Sequence, residues 1–85
     1  MLENLRERIS AVNSRILGDL NERLRLVNEV RDLKKERGLP MHDPAREEQM
    51  MRELVATNPG PLSETHLAIV FKAIFSVCLS FLKHA

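Results

Sequence analysis

The chain has 85 residues, 44% of them hydrophobic and 29% charged, with three Gly and three aromatic side chains, all Phe. A chain this short makes one domain, 1–85, and buries only about 60–65% of its unfolded surface, so a core built from a single copy is thin. Thirteen basic against twelve acidic residues leave a net charge of +1, which excludes the broad basic footprint of a nucleic-acid binder. One cysteine excludes an intrachain disulfide, and the charged start MLENLRERIS lacks the apolar core of a signal peptide, so the expected location is the cytoplasm.

From Leu2 to Arg37 there is no proline and the only glycine is Gly18. Leu5, Ile9, Val12, Ile16, Leu20, Leu24, Val27 and Val30 recur at steps of three and four, which predicts an amphipathic helix over 2–37, about 50 Å long. The stretch RGLP ends it, with Gly38 suited to a left-handed cap and Pro40 unable to continue the helix. Asp43 before Pro44 reads as an N-cap followed by the first residue of a second helix, 44–57. NPGP at 58–61 stops that helix, and Ser63 caps a third over 63–84, with Leu62 and Leu67 spaced as a hydrophobic staple. Its apolar run of about 16 residues contains Lys72 and falls short of the 18 or more of a typical membrane span, so a buried helix is expected and no membrane partner.

The predicted class is therefore all-α, with three helices per chain. A 50 Å rod does not fit a compact domain of this size, whose radius of gyration is about 12 Å. The long helix must pack on another chain, and an intertwined homodimer is the expected assembly.

Charge gathers near the first bend. Arg23 and Lys34 are eleven residues apart, three helical turns to within about 20°, so they share one face about 16 Å apart, with Val30 between them. Arg6 lies about 25 Å up the rod on another side, out of reach of the same ligand unless a second, antiparallel chain brings it there. Two readings of these cations stand side by side. They form a solvated face paired with Glu22, Glu29, Asp32 and Glu36, or they surround an anion. Asp43 serves equally as a simple N-cap. Arg46 sits in a first helical turn, where the dipole disfavours a cation, and this points to an anionic partner.

The rest of the chemical inventory is sparse. His42, His66 and His84 lack metal-ligand spacing, and Cys78 lies within an apolar helix as a packed thiol. There is no Gly-rich phosphate loop and no nucleophile elbow. Any catalysis must proceed without cofactor, metal or covalent step.

The segments LRERISAVNSRIL, LNERLRLVNEVRDLKKERGLPMHDPAREEQMM and NPGPLSETHLAIVFKAIF resemble the all-helical class of chorismate mutases. The resemblance is strongest to short mutase domains that are fused to, or associated with, the first synthase of the shikimate pathway. Nearly the whole chain is covered. The most specific part is the set Arg6, Arg23, Lys34, Asp43, Arg46 and Glu47, with the D-P-x-R-E bend. The resemblance implies a helical homodimer that rearranges chorismate to prephenate for aromatic amino-acid biosynthesis. It implies that Arg23 and the partner chain's Arg6 grip carboxylates, that Arg46 adds positive field, and that Lys34 donates to the breaking ether oxygen. Asp43, through its backbone, and Glu47 would hold the ring hydroxyl, and Val30, Met50, Phe75 and Leu79 would form apolar walls. The C-terminal SVCLSFLKHA departs from the family pattern: the positions of a small residue and of a Gln or Glu donor fall on Cys78 and Leu82. Losing one preorganised donor costs about 3–4 kcal/mol of transition-state stabilisation, so a reduced rate is expected. The alternative is a weakly active or inactive mutase-like dimer that binds chorismate or prephenate as a regulatory module. A purely structural dimer is disfavoured by cations meeting around apolar positions.

Overall fold

In a computed structural model, which describes residues 1–83, the chain forms three helices joined by two short bends: α1, Leu2–Arg37; α2, Pro44–Thr57; and α3, Glu64–Lys83. Residue 84, the expected end of the third helix, lies outside the described residues. Among those described there is no strand.

Each boundary follows from local chemistry. Gly38 takes φ 66°, a left-handed conformation that costs glycine nothing, and its N–H bonds to Lys35 O while Leu39 N–H bonds to Lys34 O at 2.9 Å. These two bonds satisfy two carbonyls of the last turn of α1 and turn the chain back. Asp43 caps α2: its Oδ1 accepts from Arg46 N–H at 3.1 Å, and Pro44 occupies the first turn, where no N–H is needed. Asn58 then ties the second bend, with Nδ2 donating to Leu62 O at 2.8 Å and Oδ1 accepting from Gly60 N–H at 2.9 Å. Gly60 has φ 76°. Ser63 Oγ accepts from His66 N–H at 3.1 Å and so caps α3.

α1 alone sets the shape. The molecule measures 54 × 24 × 17 Å, and its radius of gyration is 15.7 Å against about 12 Å for a compact chain of this length. α3 packs against both α1 and α2, and side chains alone join α1 to α2 across the resulting angle. The core is correspondingly small. Leu67, Phe75 and Cys78, all on α3, are the buried hydrophobic residues among those described. Leu67 is 3% exposed while its expected staple partner Leu62 stays 44% exposed. Residues 1–22 are exposed throughout, including Leu5, Ile9, Val12 and Ile16. α3 is long and apolar enough over Glu64–Leu82 to cross a membrane by length and composition; here its Leu67, Phe75 and Cys78 edge is buried on the other helices, and Ile69, Val70, Val77 and Phe81 remain exposed.

Candidate active site

The inner angle between the helices encloses a cleft of about 180 Å³. α1 contributes Arg23, Val27, Val30 and Lys34, which stand at i, i+4, i+7 and i+11 and so form one stripe along the rod. The first bend and the start of α2 contribute Met41, Asp43, Arg46, Glu47 and Met50. α3 closes the cleft with Phe75, Cys78, Leu79 and Leu82. Eleven of the twelve residues singled out from sequence thus meet in one place. Arg6 is the exception: it lies near the exposed start of α1, where Nη1 pairs with Glu3 at 3.0 Å.

Arg23 is held without a carboxylate. Its Nη1 donates to Cys78 Sγ at 3.0 Å, its Nη2 lies 3.9 Å from Met50 Sδ, and its guanidinium carbon stands 5.4 Å from the centre of the Phe75 ring. Among the described residues no acidic side chain is within ion-pair distance of it. Thiol and thioether sulfurs are weak acceptors, so these contacts orient the guanidinium while leaving most of its charge uncompensated.

Lys34 Nζ donates to Met41 O at 3.0 Å in a half-buried setting, which ties the bend to the last turn of α1. An ammonium carries three donors, and two remain. Arg46 lies at the rim, with Nη1 on Gln49 Oε1 at 3.1 Å. The Asp43 carboxylate is spent on capping α2. Glu47 Oε2 lies 3.3 Å from His42 Nε2. The cleft therefore collects three cations and two carboxylates, and one of those carboxylates is already engaged by backbone. Among the described residues no three His, Cys, Asp or Glu side chains come close enough to hold a metal ion.

Met41 and Val27 line the cleft but are not among the candidate site residues of the sequence. Val27 was legible, since it completes the stripe between Arg23 and Lys34. Met41 enters through its carbonyl, which every residue type has, and so no pattern of side chains marks it.

The sequence profile of the chorismate mutase type II family matches residues 5–83. The chain belongs to this family. Bifunctional chorismate mutase/prephenate dehydratases from Aquifex aeolicus (strain VF5) and Stutzerimonas stutzeri are 31% and 33% identical over 83 and 84 residues, covering 93% of this chain. The chain spans only 23% of the length of either relative. Both relatives carry a dehydratase, not the synthase suggested by the resemblance. Two solved structures of chorismate mutase from Thermus thermophilus superpose on the chain. Form II has a TM-score of 0.95 at 42% identity, covering 98% of this chain and 94% of that one, and form I has 0.89 at 44%, covering 91% and 96%. Set on this type II mutase framework, the cleft has a distinct asymmetry: α1 and α2 supply every strong hydrogen-bond donor, and α3 supplies an aromatic ring, a thiol and two leucines.

Proposed function

We propose that the chain rearranges chorismate to prephenate, and the observation that carries this is the convergence of Arg23, Lys34 and Arg46 on a cleft whose third wall is apolar. The reaction is unimolecular: an ether C–O bond breaks as a new C–C bond forms, with no proton transfer and no bond to the protein. Its demands are a compact substrate conformer, two neutralised carboxylates and stabilisation of charge growing on the ether oxygen. Arg23, held in place by sulfur and aromatic contacts, is suited to a substrate carboxylate. Lys34 keeps donors for the ether oxygen. Glu47 and the backbone at Asp43 would hold the ring hydroxyl, and Arg46 would add field at the rim. Val30, Met50, Phe75 and Leu79 exclude water, which strengthens each of these charge interactions. Leu82 leaves the ether oxygen without a donor from α3.

The functional unit in this proposal is a homodimer. The chain exposes 6841 Å², whereas a compact monomer of 9.8 kDa exposes about 5,200 Å². The excess of roughly 1,600 Å² matches the burial of a substantial interface, and the bare apolar stripe on α1 is where it would form. A second, antiparallel copy would also bring Arg6 toward Arg23. Sedimentation of the purified chain at micromolar concentration should show a dimer, and a fully helical monomer would sink this part of the proposal.

The chain would act beside a second enzyme of aromatic amino-acid biosynthesis, fused or associated. The two relatives' names favour a dehydratase that consumes prephenate, and the sequence resemblance favours the first synthase of the shikimate pathway. A single free thiol, Cys78, suits a reducing, cytoplasmic setting. The deciding experiment is the spectrophotometric loss of chorismate with purified protein. Loss no faster than the uncatalysed reaction rejects the enzyme, and ligand binding without turnover would establish the regulatory module in its place.

A further inference from the structure

Side chains from all three helices meet at the guanidinium of Arg23. It stems from α1, and Met50 Sδ of α2 lies 3.9 Å from its Nη2. α3 supplies two contacts: the Phe75 ring, whose centre is 5.4 Å from the guanidinium carbon, and Cys78 Sγ, 3.0 Å from Nη1. Positions 75 and 78 are three apart and so stand on one side of α3. Cys78 is 7% exposed and lines the cleft beside the cation. Its sequence context marks it only as a packed thiol in an apolar helix. Resting on the mutase assignment above, we propose that Cys78 is a positioning residue: its sulfur fixes the plane of the Arg23 fork and thereby its grip on a substrate carboxylate.

The three contacts differ in what they can fix. A ring face attracts a cation without choosing which N–H points where. The Met50 contact, at 3.9 Å, is too long to hold a direction. Cys78 Sγ accepts one N–H of Nη1 and so selects one rotation of the fork over the ring. An arginine has five N–H donors; with one turned to Cys78 and at most one to Met50, enough stay free for a two-point hold on a carboxylate. A carboxylate at position 78 would orient the fork too, but it would also neutralise it. Sulfur is a weak acceptor and leaves the charge for the ligand. The expected signature is therefore one of geometry. Without the sulfur the cation stays in the cleft and still attracts a dianion, so KM changes little. The fork no longer holds the reactive orientation, so kcat falls.

The test is steady-state kinetics of chorismate loss for the unmodified chain, Cys78→Ala, Cys78→Val and Cys78→Ser, with thermal denaturation of each. Cys78→Ala should lower kcat about tenfold, the scale of one weak hydrogen bond to a charged group, and move KM by less than about threefold. Cys78→Val fills the space without an acceptor and should match Cys78→Ala. Cys78→Ser keeps an acceptor in a smaller side chain and should recover most of the lost kcat. Packing alone gives the reverse order, with Cys78→Val the best of the three and activity following thermal stability. That order, a loss carried mainly by KM, or an unchanged kcat in all three variants overturns the proposal while leaving the mutase assignment standing. A second comparison separates positioning from direct contact with the substrate. Arg23→Lys keeps a charge but has no fork to orient, so adding Cys78→Ala to it should cost less than about threefold more. A further loss of about tenfold in that background means that Cys78 meets the substrate itself, and it overturns the positioning role. Absence of chorismate loss with the unmodified chain overturns the mutase assignment and this proposal together.

Discussion

Replacing Arg23 with alanine separates catalysis from stability more sharply than any other substitution in the cleft. The guanidinium rests on Phe75 at 5.4 Å and touches two sulfurs, and these contacts vanish in Arg23→Ala. A partly buried cation–π pair contributes about 0.5–2 kcal/mol, and the sulfur contacts are weaker. Relief of repulsion from Lys34 and Arg46, which line the same cleft, offsets part of this. The expected net cost is about 1 kcal/mol, a fall in Tm of about 4–8 °C for a chain of this size. Turnover should fall much further. Arg23 is given a substrate carboxylate to hold in the reactive conformer, and losing one preorganised charged donor of that kind costs about 2.7–4 kcal/mol, or two to three orders of magnitude. Chorismate consumption followed by absorbance, beside thermal denaturation followed by circular dichroism, measures both. Turnover within tenfold of the unmodified protein in a folded Arg23→Ala dimer would refute the role given to this residue. Arg23→Lys sharpens the result: it keeps the charge but loses the planar fork, and it should recover less than a tenth of the lost rate if geometry is what Arg23 supplies.

Lys34→Ala should also cost two or more orders of magnitude in turnover, but it is less innocent structurally, because the Met41 carbonyl loses its donor; about 1 kcal/mol of stability should go with it, seen in the denaturation midpoint. Leu82→Gln should raise kcat, since an amide on the α3 wall can donate to the ether oxygen, while lowering stability by up to about 1–3 kcal/mol in the empty cleft; a flat or reduced kcat in a folded dimer would mean that this wall does not face the breaking bond. Ile9→Asp alters a side chain that is 59% exposed in the single chain, where a surface change is worth no more than about 0.5 kcal/mol. If α1 is an interface, the same substitution buries a carboxylate and should dissociate the dimer in sedimentation and abolish turnover.

The helices and their ends were legible because each is written in local terms: a 3.6-residue apolar period, the αL glycine at 38, the Asp43–Pro44 start, the Ser63 cap. The stripe of Arg23, Val30 and Lys34 was legible for the same reason, as a matter of helical geometry alone. What spacing could not supply was convergence. That Cys78, 55 positions after Arg23, would lie 3.0 Å from its guanidinium depends on how α3 crosses α1, and no period within either helix encodes that angle. Resemblance to a family filled this gap for the cleft residues. It did not reach the Met41 carbonyl, which Lys34 Nζ meets at 3.0 Å.

That bend also constrains how the chain can vary in length. Leu39 N–H returns to Lys34 O, and Lys34 Nζ reaches Met41 O, so residues 38–43 are strapped to the last turn of α1 on one side and cap α2 on the other. One residue inserted there would break the strap or swing Arg46 and Glu47 away from Arg23 and Lys34. The bend at 58–62 closes through its own Asn58 bonds and lines no part of the cleft. Natural insertions, engineered tags and split points should therefore be accepted at the second bend and rejected at the first, although the two are similar in length and both contain Gly and Pro.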